Sequence, residues 1–150
     1  MHTVELLPDE GLDSAVRKQW GLLLDAGLPS LASHGHPTNR PHLTVVTAAS
    51  LDGLPALSLP VAVSFGAARM LGRALVLPVE VTDQLREMHE RVWSALPSAW
   101  PPPAEWVPHV SLALRASPAA LTAASSFGRV EGSFVAARSY DTSVRTVIAL

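Results

Sequence analysis

An α+β fold with two pseudo-symmetric lobes is predicted by three features of the 150-residue chain. Strand-like and helix-like stretches are mixed without strict β-α-β alternation, which argues against a doubly wound parallel sheet. With 48% hydrophobic and 16% charged residues, the chain can bury a compact core. A strand–helix–loop–strand pattern also occurs twice. Residues 1–150 therefore read as one bilobal domain with an internal repeat over approximately 1–70 and 71–150.

Residues 2–7 are short and apolar-leaning and stop at Pro8, as a strand does. From Asp9 to about Ala26, Val16, Trp20, Leu23 and Leu24 recur at helical spacing, and Gly27 and Pro29 close the segment. After a loop rich in Ser, Gly and Pro, residues 42–47 form a β-branched run expected as a strand. Residues 61–65 and 73–79 read as two further strands joined through Gly66 and Gly72. A second helix is expected from Thr82 or Asp83 to about Leu96, with Leu85, Met88, Val92 and Leu96 on one face and either Thr82 or Asp83 as its cap. Trp100-Pro101-Pro102-Pro103 must be loop. His109–Arg115 then reads as a strand, and Ser117-Pro118 opens a short helix that Gly128 ends. Two strands, 132–140 and 143–150, finish the chain around a turn at Asp141-Thr142.

The repeat lies in two matching phrases. Leu7-Pro8-x-Glu10-x-x-Asp13 recurs as Leu77-Pro78-x-Glu80-x-x-Asp83, and each helix that follows carries a tryptophan, Trp20 or Trp93. Pro41-His42-Leu43-Thr44-Val45 recurs as Pro108-His109-Val110-Ser111-Leu112. The acidic residues of the first phrase are expected as helix-start residues favoured by the helix dipole. The second phrase carries the chemistry. A lone His-x-Ser/Thr is weak, and about one chance match is expected in a chain with six histidines; His36-Pro37-Thr38 fits that description. The five-residue pattern, twice at matching places, is far more specific.

Side chains two apart on a strand share a face, so His42 neighbours Thr44 and His109 neighbours Ser111. Leu43, Val45, Val110, Leu112 and Leu114 then turn toward the core. The same parity puts Arg115 beside His109 and Ser111, and Arg40 on the face of His42. Facing lobes would gather two imidazoles, two hydroxyls and one or two guanidiniums into a groove suited to a phosphodiester. One neutral imidazole can take a proton from water while one protonated imidazole gives a proton to the leaving oxygen. Hydroxyls and Arg can hold the non-bridging oxygens.

Composition narrows the alternatives. Zero cysteines remove thiolate catalysis and cysteine-based zinc sites. A zinc site built from His34, His36, His42 and His109 is the poorer reading, and no metal or cofactor is expected. A formal net charge of -2 gives no basic field for long nucleic acid. No apolar run approaches the roughly 20 residues of a bilayer span, and the N-terminus has no signal-peptide pattern, so a cytoplasmic protein is expected. His2, His34, His36 and His89 are expected as bystanders. Trp106, with Trp100, flanks the loop before His109; it could stack on a base, although hydrophobic packing is the commoner fate of such an indole.

The paired Pro-His motifs closely resemble the 2H phosphoesterase superfamily, also called the 2′–5′ RNA ligase-like family, over essentially the whole chain. The resemblance implies two lobes with antiparallel sheets facing a central cleft and helices outside, and metal-independent chemistry on 2′,3′-cyclic phosphates or related RNA ends. His42, Thr44, His109 and Ser111 fall on the motif positions. The second hydroxyl is Ser, which the family allows. Arg115 lies six residues past His109, where many members have Arg at five. The leading expectation is an enzyme opening a cyclic phosphate on a nucleotide or RNA terminus, with Arg40, Arg115 and Trp106 as substrate contacts. A non-catalytic binding module for the same ligands is the competing class, and a 2′–5′ RNA ligase is a third. The near-symmetric groove leaves open which histidine is acid and which is base.

Overall fold

A computed structural model describes residues 1–150. Its elements run β1 (His2–Pro8), α1 (Glu10–Asp25), β2 (Leu43–Ala48), β3 (Val61–Ser64), β4 (Arg69–Leu71), β5 (Ala74–Pro78), α2 (Asp83–Ala95), β6 (His109–Ala113), α3 (Pro118–Ala124), β7 (Glu131–Asp141) and β8 (Thr146–Ala149). Every strand pair is antiparallel. One sheet has the order β2-β1-β7-β3, with β8 also on β7, and the other has the order β4-β5-β6. The fold is α+β, as the sequence predicts.

The repeat maps onto β1–α1–β2 and β5–α2–β6, each a pair of adjacent antiparallel strands joined through a helix. The C-terminal strands return to the first sheet: β7 pairs with β1 along one edge and with β3 and β8 along the other. The Gly66–Gly72 connection contains a strand that sequence reading missed. β4 is only three residues long, and Gly72, at φ 60°, supplies the left-handed backbone that turns it into β5. No helix is long and apolar enough to cross a membrane.

Periodicity places the helices well. α2 buries Leu85, Met88 and Val92, and Thr82 caps it, its Oγ1 accepting from Leu85 N–H at 3.2 Å. Glu80 therefore lies before the helix, exposed, and differs from its repeat partner Glu10, the first residue of α1. On α1, Leu12, Val16, Trp20 and Leu23 face inward, but Leu24 does not and is 48% exposed. The buried position on that turn goes to Gln19, whose amide donates to the Gly128 carbonyl. A single cluster of 28 buried hydrophobic residues runs through both sheets.

Asp9 fixes where α1 leaves β1. Its Oδ1 accepts from Leu12 N–H at 2.7 Å and its Oδ2 from Ser133 N–H at 2.8 Å, so one carboxylate caps the helix and ties it to β7. Those backbone donors, Leu12 first, hold its pKa below the ordinary carboxylate value. Gly132 must be glycine here, since a Cβ would come within 2.8 Å of the Leu12 Cβ at a φ of 157°. Replacing Asp9 by Ala should cost about 1–2 kcal/mol of unfolding free energy at pH 7, read from urea midpoints. A lowered folded pKa gives stability that is present above the unfolded value and lost as pH falls through the folded one. The gap between wild type and Asp9→Ala should therefore close in acid; a gap indifferent to pH would contradict the capping role.

His89 on α2 is fully buried, with no hydrogen bond to either ring nitrogen, and stacks on Trp106 with centroids 4.3 Å apart. Burial pushes its pKa below the usual 6.5; the Pro101 carbonyl and the Glu90 carboxylate favour the charged ring but only partly oppose this. The unfolded chain thus binds the extra proton first as pH falls. Stability from this group is complete above about pH 6.5 and declines below it, by at most about 1.4 kcal/mol per pH unit. Between pH 7.5 and 5.5, His89→Phe should lose less stability than wild type in urea melts. Equal losses would rule out this origin.

Candidate active site

Each repeated histidine is held by the residues just before it. His42 Nδ1–H donates to the Arg40 carbonyl at 2.8 Å, and His109 Nδ1–H donates to the Val107 carbonyl at 2.7 Å. A carbonyl can only accept, so Nδ1 carries the proton in both rings and Nε2 is left for a ligand. The intervening Pro41 and Pro108 fix φ and offer no N–H to compete for that carbonyl. His36, the chance match, is held the opposite way: Thr38 N–H donates to its Nδ1 at 3.2 Å, so that nitrogen carries no proton.

Alternation then sorts the strands. Leu43, Val45, Val110 and Leu112 are buried, while His42, Thr44, His109 and Ser111 are part-exposed, as strand parity predicts. The parity fails beyond that point, and the cause is the same in both lobes. Register shifts from Val4↔Val46 to Glu5↔Thr44 and from Leu75↔Ala113 to Val76↔Ser111, so Val45 and Leu112 are bulge residues. A bulge reverses the side-chain phase. Val46 and Ala113 are consequently buried, and Leu114, expected in the core, is 52% exposed. β6 ends at Ala113, and Arg115 does not share the face of Ser111. It lines a neighbouring hollow with Ser30, Ser33 and His34, while Leu114 takes the place expected for it beside Ser111.

A cavity of about 400 Å³ runs from Ser111 to His42 and out along the 34–41 loop. Arg40 lines it, 3.9 Å from the Asp13 carboxylate. Thr44 and His109 share strand faces with His42 and Ser111 but are not lining residues. His34 and His36, read as bystanders, line its outer wall, and together with His42 they do not assemble a metal-ligating cluster.

A buried ion pair in the cavity comes from strands to which no function was assigned. Glu5 on β1 and Arg138 on β7 are register partners, 4% and 7% exposed, with Arg138 Nε–H donating to Glu5 Oε1 at 2.8 Å. Glu5 Oε2 accepts from the Thr3 hydroxyl at 2.8 Å and lies 3.9 Å from His42 Nε2. Tyr140, two residues past Arg138, also lines the cavity. A charged residue inside an apolar strand was the available signal; the partnership needs β1 and β7 to be adjacent, which spacing alone does not reveal. The pair also breaks the pseudo-symmetry, because Val76 stands opposite Ser111 where Glu5 stands opposite Thr44.

Two indoles cross between the lobes. Trp20 Nε1–H donates to the Ser111 carbonyl at 3.1 Å, and Trp106 Nε1–H donates to the Thr44 carbonyl at 3.2 Å. Trp106, stacked on His89, does not line the cavity. Packing holds this indole.

No curated protein matches the chain. A family model described as the 2′-5′ RNA ligase superfamily matches residues 17–138, a span that contains both Pro-His strands, both indoles and Arg138. With most of the chain inside that match, the protein belongs to the 2′-5′ RNA ligase superfamily, the 2H phosphoesterases.

Proposed function

We propose that the protein is a metal-independent phosphoesterase that opens 2′,3′-cyclic phosphates on nucleotides or RNA termini. The family supports phosphoesterase-type chemistry broadly. The observation that carries the narrower reading is the matched pair of Nδ1 bonds, which leaves Nε2 of both His42 and His109 free for proton transfer. In the reaction, a neutral imidazole removes a proton from water as its oxygen bonds to phosphorus. The protonated imidazole gives its proton to the 2′ or 3′ oxygen as that P–O bond breaks. The product is a phosphomonoester beside a free hydroxyl. Thr44 and Ser111 would donate to the non-bridging oxygens, with Arg40 at the cavity wall adding positive charge.

Purified protein incubated with 2′,3′-cyclic mononucleotides in EDTA should release one phosphomonoester isomer. His42→Ala and His109→Ala should each slow turnover by roughly 10²–10⁴-fold, the usual contribution of a general acid or base. A nucleotide bound and recovered intact would instead establish a binding module. Turnover unaffected by both substitutions would remove the two-histidine mechanism. Ligation is the same ring opening with an RNA 5′-hydroxyl in place of water as the nucleophile, and an RNA carrying a cyclic phosphate, incubated with a 5′-hydroxyl RNA, would report it.

Because one imidazole must be neutral and the other charged, kcat/KM should follow a bell against pH. A rate constant across about pH 5–9 would contradict that assignment.

A further inference from the structure

We propose that Arg138 is the cation that grips the substrate phosphate, and that Glu5 is the positioning residue that aims it. The proposal rests on the phosphoesterase reading of the cavity but is tested apart from it. Arg138 is nine-tenths buried, and its Nε is committed to Glu5. Neither terminal amino group hydrogen-bonds within the protein, and neither is sealed away as an orphan, although five other side-chain atoms are. Arg138 also lines the cavity shared by His42 and Ser111. A guanidinium held by one edge, with two amino groups open to such a cavity, presents a rigid fork matched to two phosphate oxygens.

The rest of the pair explains why the fork is steady. Thr3 Oγ1 accepts from Tyr140 N–H at 2.9 Å and so turns its own proton to Glu5 Oε2. Both Glu5 oxygens are thereby engaged, and the carboxylate cannot swing toward the arriving phosphate. A buried ion pair in an apolar strand layer adds little net stability, since desolvation of two ions offsets their attraction. Its cost is better matched by a ligand that takes up the free amino groups. Glu5 precedes the segment matched by the family model, while Arg138 is its last residue.

The test measures binding of inorganic phosphate by calorimetry, with no turnover required. Wild type should bind it. Arg138→Met should bind roughly 10–100-fold more weakly, as expected for losing charge-assisted hydrogen bonds. Should that variant fail to fold with Glu5 left unpaired, the double variant Glu5→Gln/Arg138→Met removes both charges and should fold with the same loss of affinity. Glu5→Gln keeps a side-chain oxygen that can accept from Arg138 Nε–H while removing the neighbouring negative charge, so it should bind phosphate at least as tightly as wild type, whereas Glu5→Ala, which leaves the guanidinium unaimed, should bind it more weakly; tight binding by both variants would remove Glu5 as the positioning residue. With cyclic nucleotide, the Arg138 loss should fall mainly on KM. Wild-type phosphate affinity in the folded double variant, or no phosphate binding by wild type, would overturn the proposal. Phosphate binding that depends on Arg138, without turnover of any cyclic phosphate, would support the anion site and count against the phosphoesterase reading alone.

Discussion

The two sheets meet along unpaired edges, and the site depends on how those edges are closed. β2 and β6 are each the last strand of their sheet. An open edge presents backbone donors and acceptors that invite pairing with another chain. Here each edge is closed by the opposite lobe. The Trp20 indole reaches the Ser111 carbonyl, the Trp106 indole reaches the Thr44 carbonyl, and Trp100 exchanges both backbone hydrogen bonds with Thr47. The carbonyls chosen belong to the two hydroxyl residues of the motifs. A bond that closes an edge therefore also sets the spacing of one motif strand from the other lobe, and packing and geometry become one constraint.

The bulges give that constraint its shape. Each inserts one residue just after the motif hydroxyl, Val45 in the first lobe and Leu112 in the second. Before the bulge, His and hydroxyl are part-exposed on one face of the strand, and His42 and Ser111 line the cavity. After it, two consecutive residues are buried and the strand bends into the core. A regular strand would have carried the polar face further along and put Arg115 beside Ser111. The bulged strand spends that phase on core packing through Val46 and Ala113 instead. The cleft then closes with Leu114, which gives the cavity an apolar wall.

Much of this was legible from residue types alone. Helix spacing found the buried face of α2, and the repeated Pro-His phrase located both motif strands and the alternation within them. It also held the reason for its own proline, since the histidine bonds to the carbonyl of the residue before Pro41 or Pro108. What stayed hidden was set by contacts distant in sequence. Glu5 and Arg138 are separated by 133 positions and become partners only through β1–β7 pairing. The bulges were equally invisible, because Val45-Val46 and Leu112-Ala113 read as ordinary apolar runs until the register is known. Trp93, the repeat partner of Trp20 in sequence, makes no such bond to the other lobe; Trp106, on a loop, makes it instead.

The near-symmetry of the fold and the asymmetry of its charges bear on one problem. Two lobes built alike give two histidines held alike, which suits a reaction needing an acid and a base of the same residue type. Identical surroundings would leave the substrate no reason to enter one way round. Opposite Thr44 the chain places a carboxylate within 3.9 Å of His42 Nε2, and opposite Ser111 it places Val76. The two motif strands therefore face different fields, with His42 beside a buried ion pair and Ser111 opposite an aliphatic residue. Whatever orientation the substrate takes, that difference distinguishes the two directions, and it arises from a single cross-strand position at which the repeat was not kept.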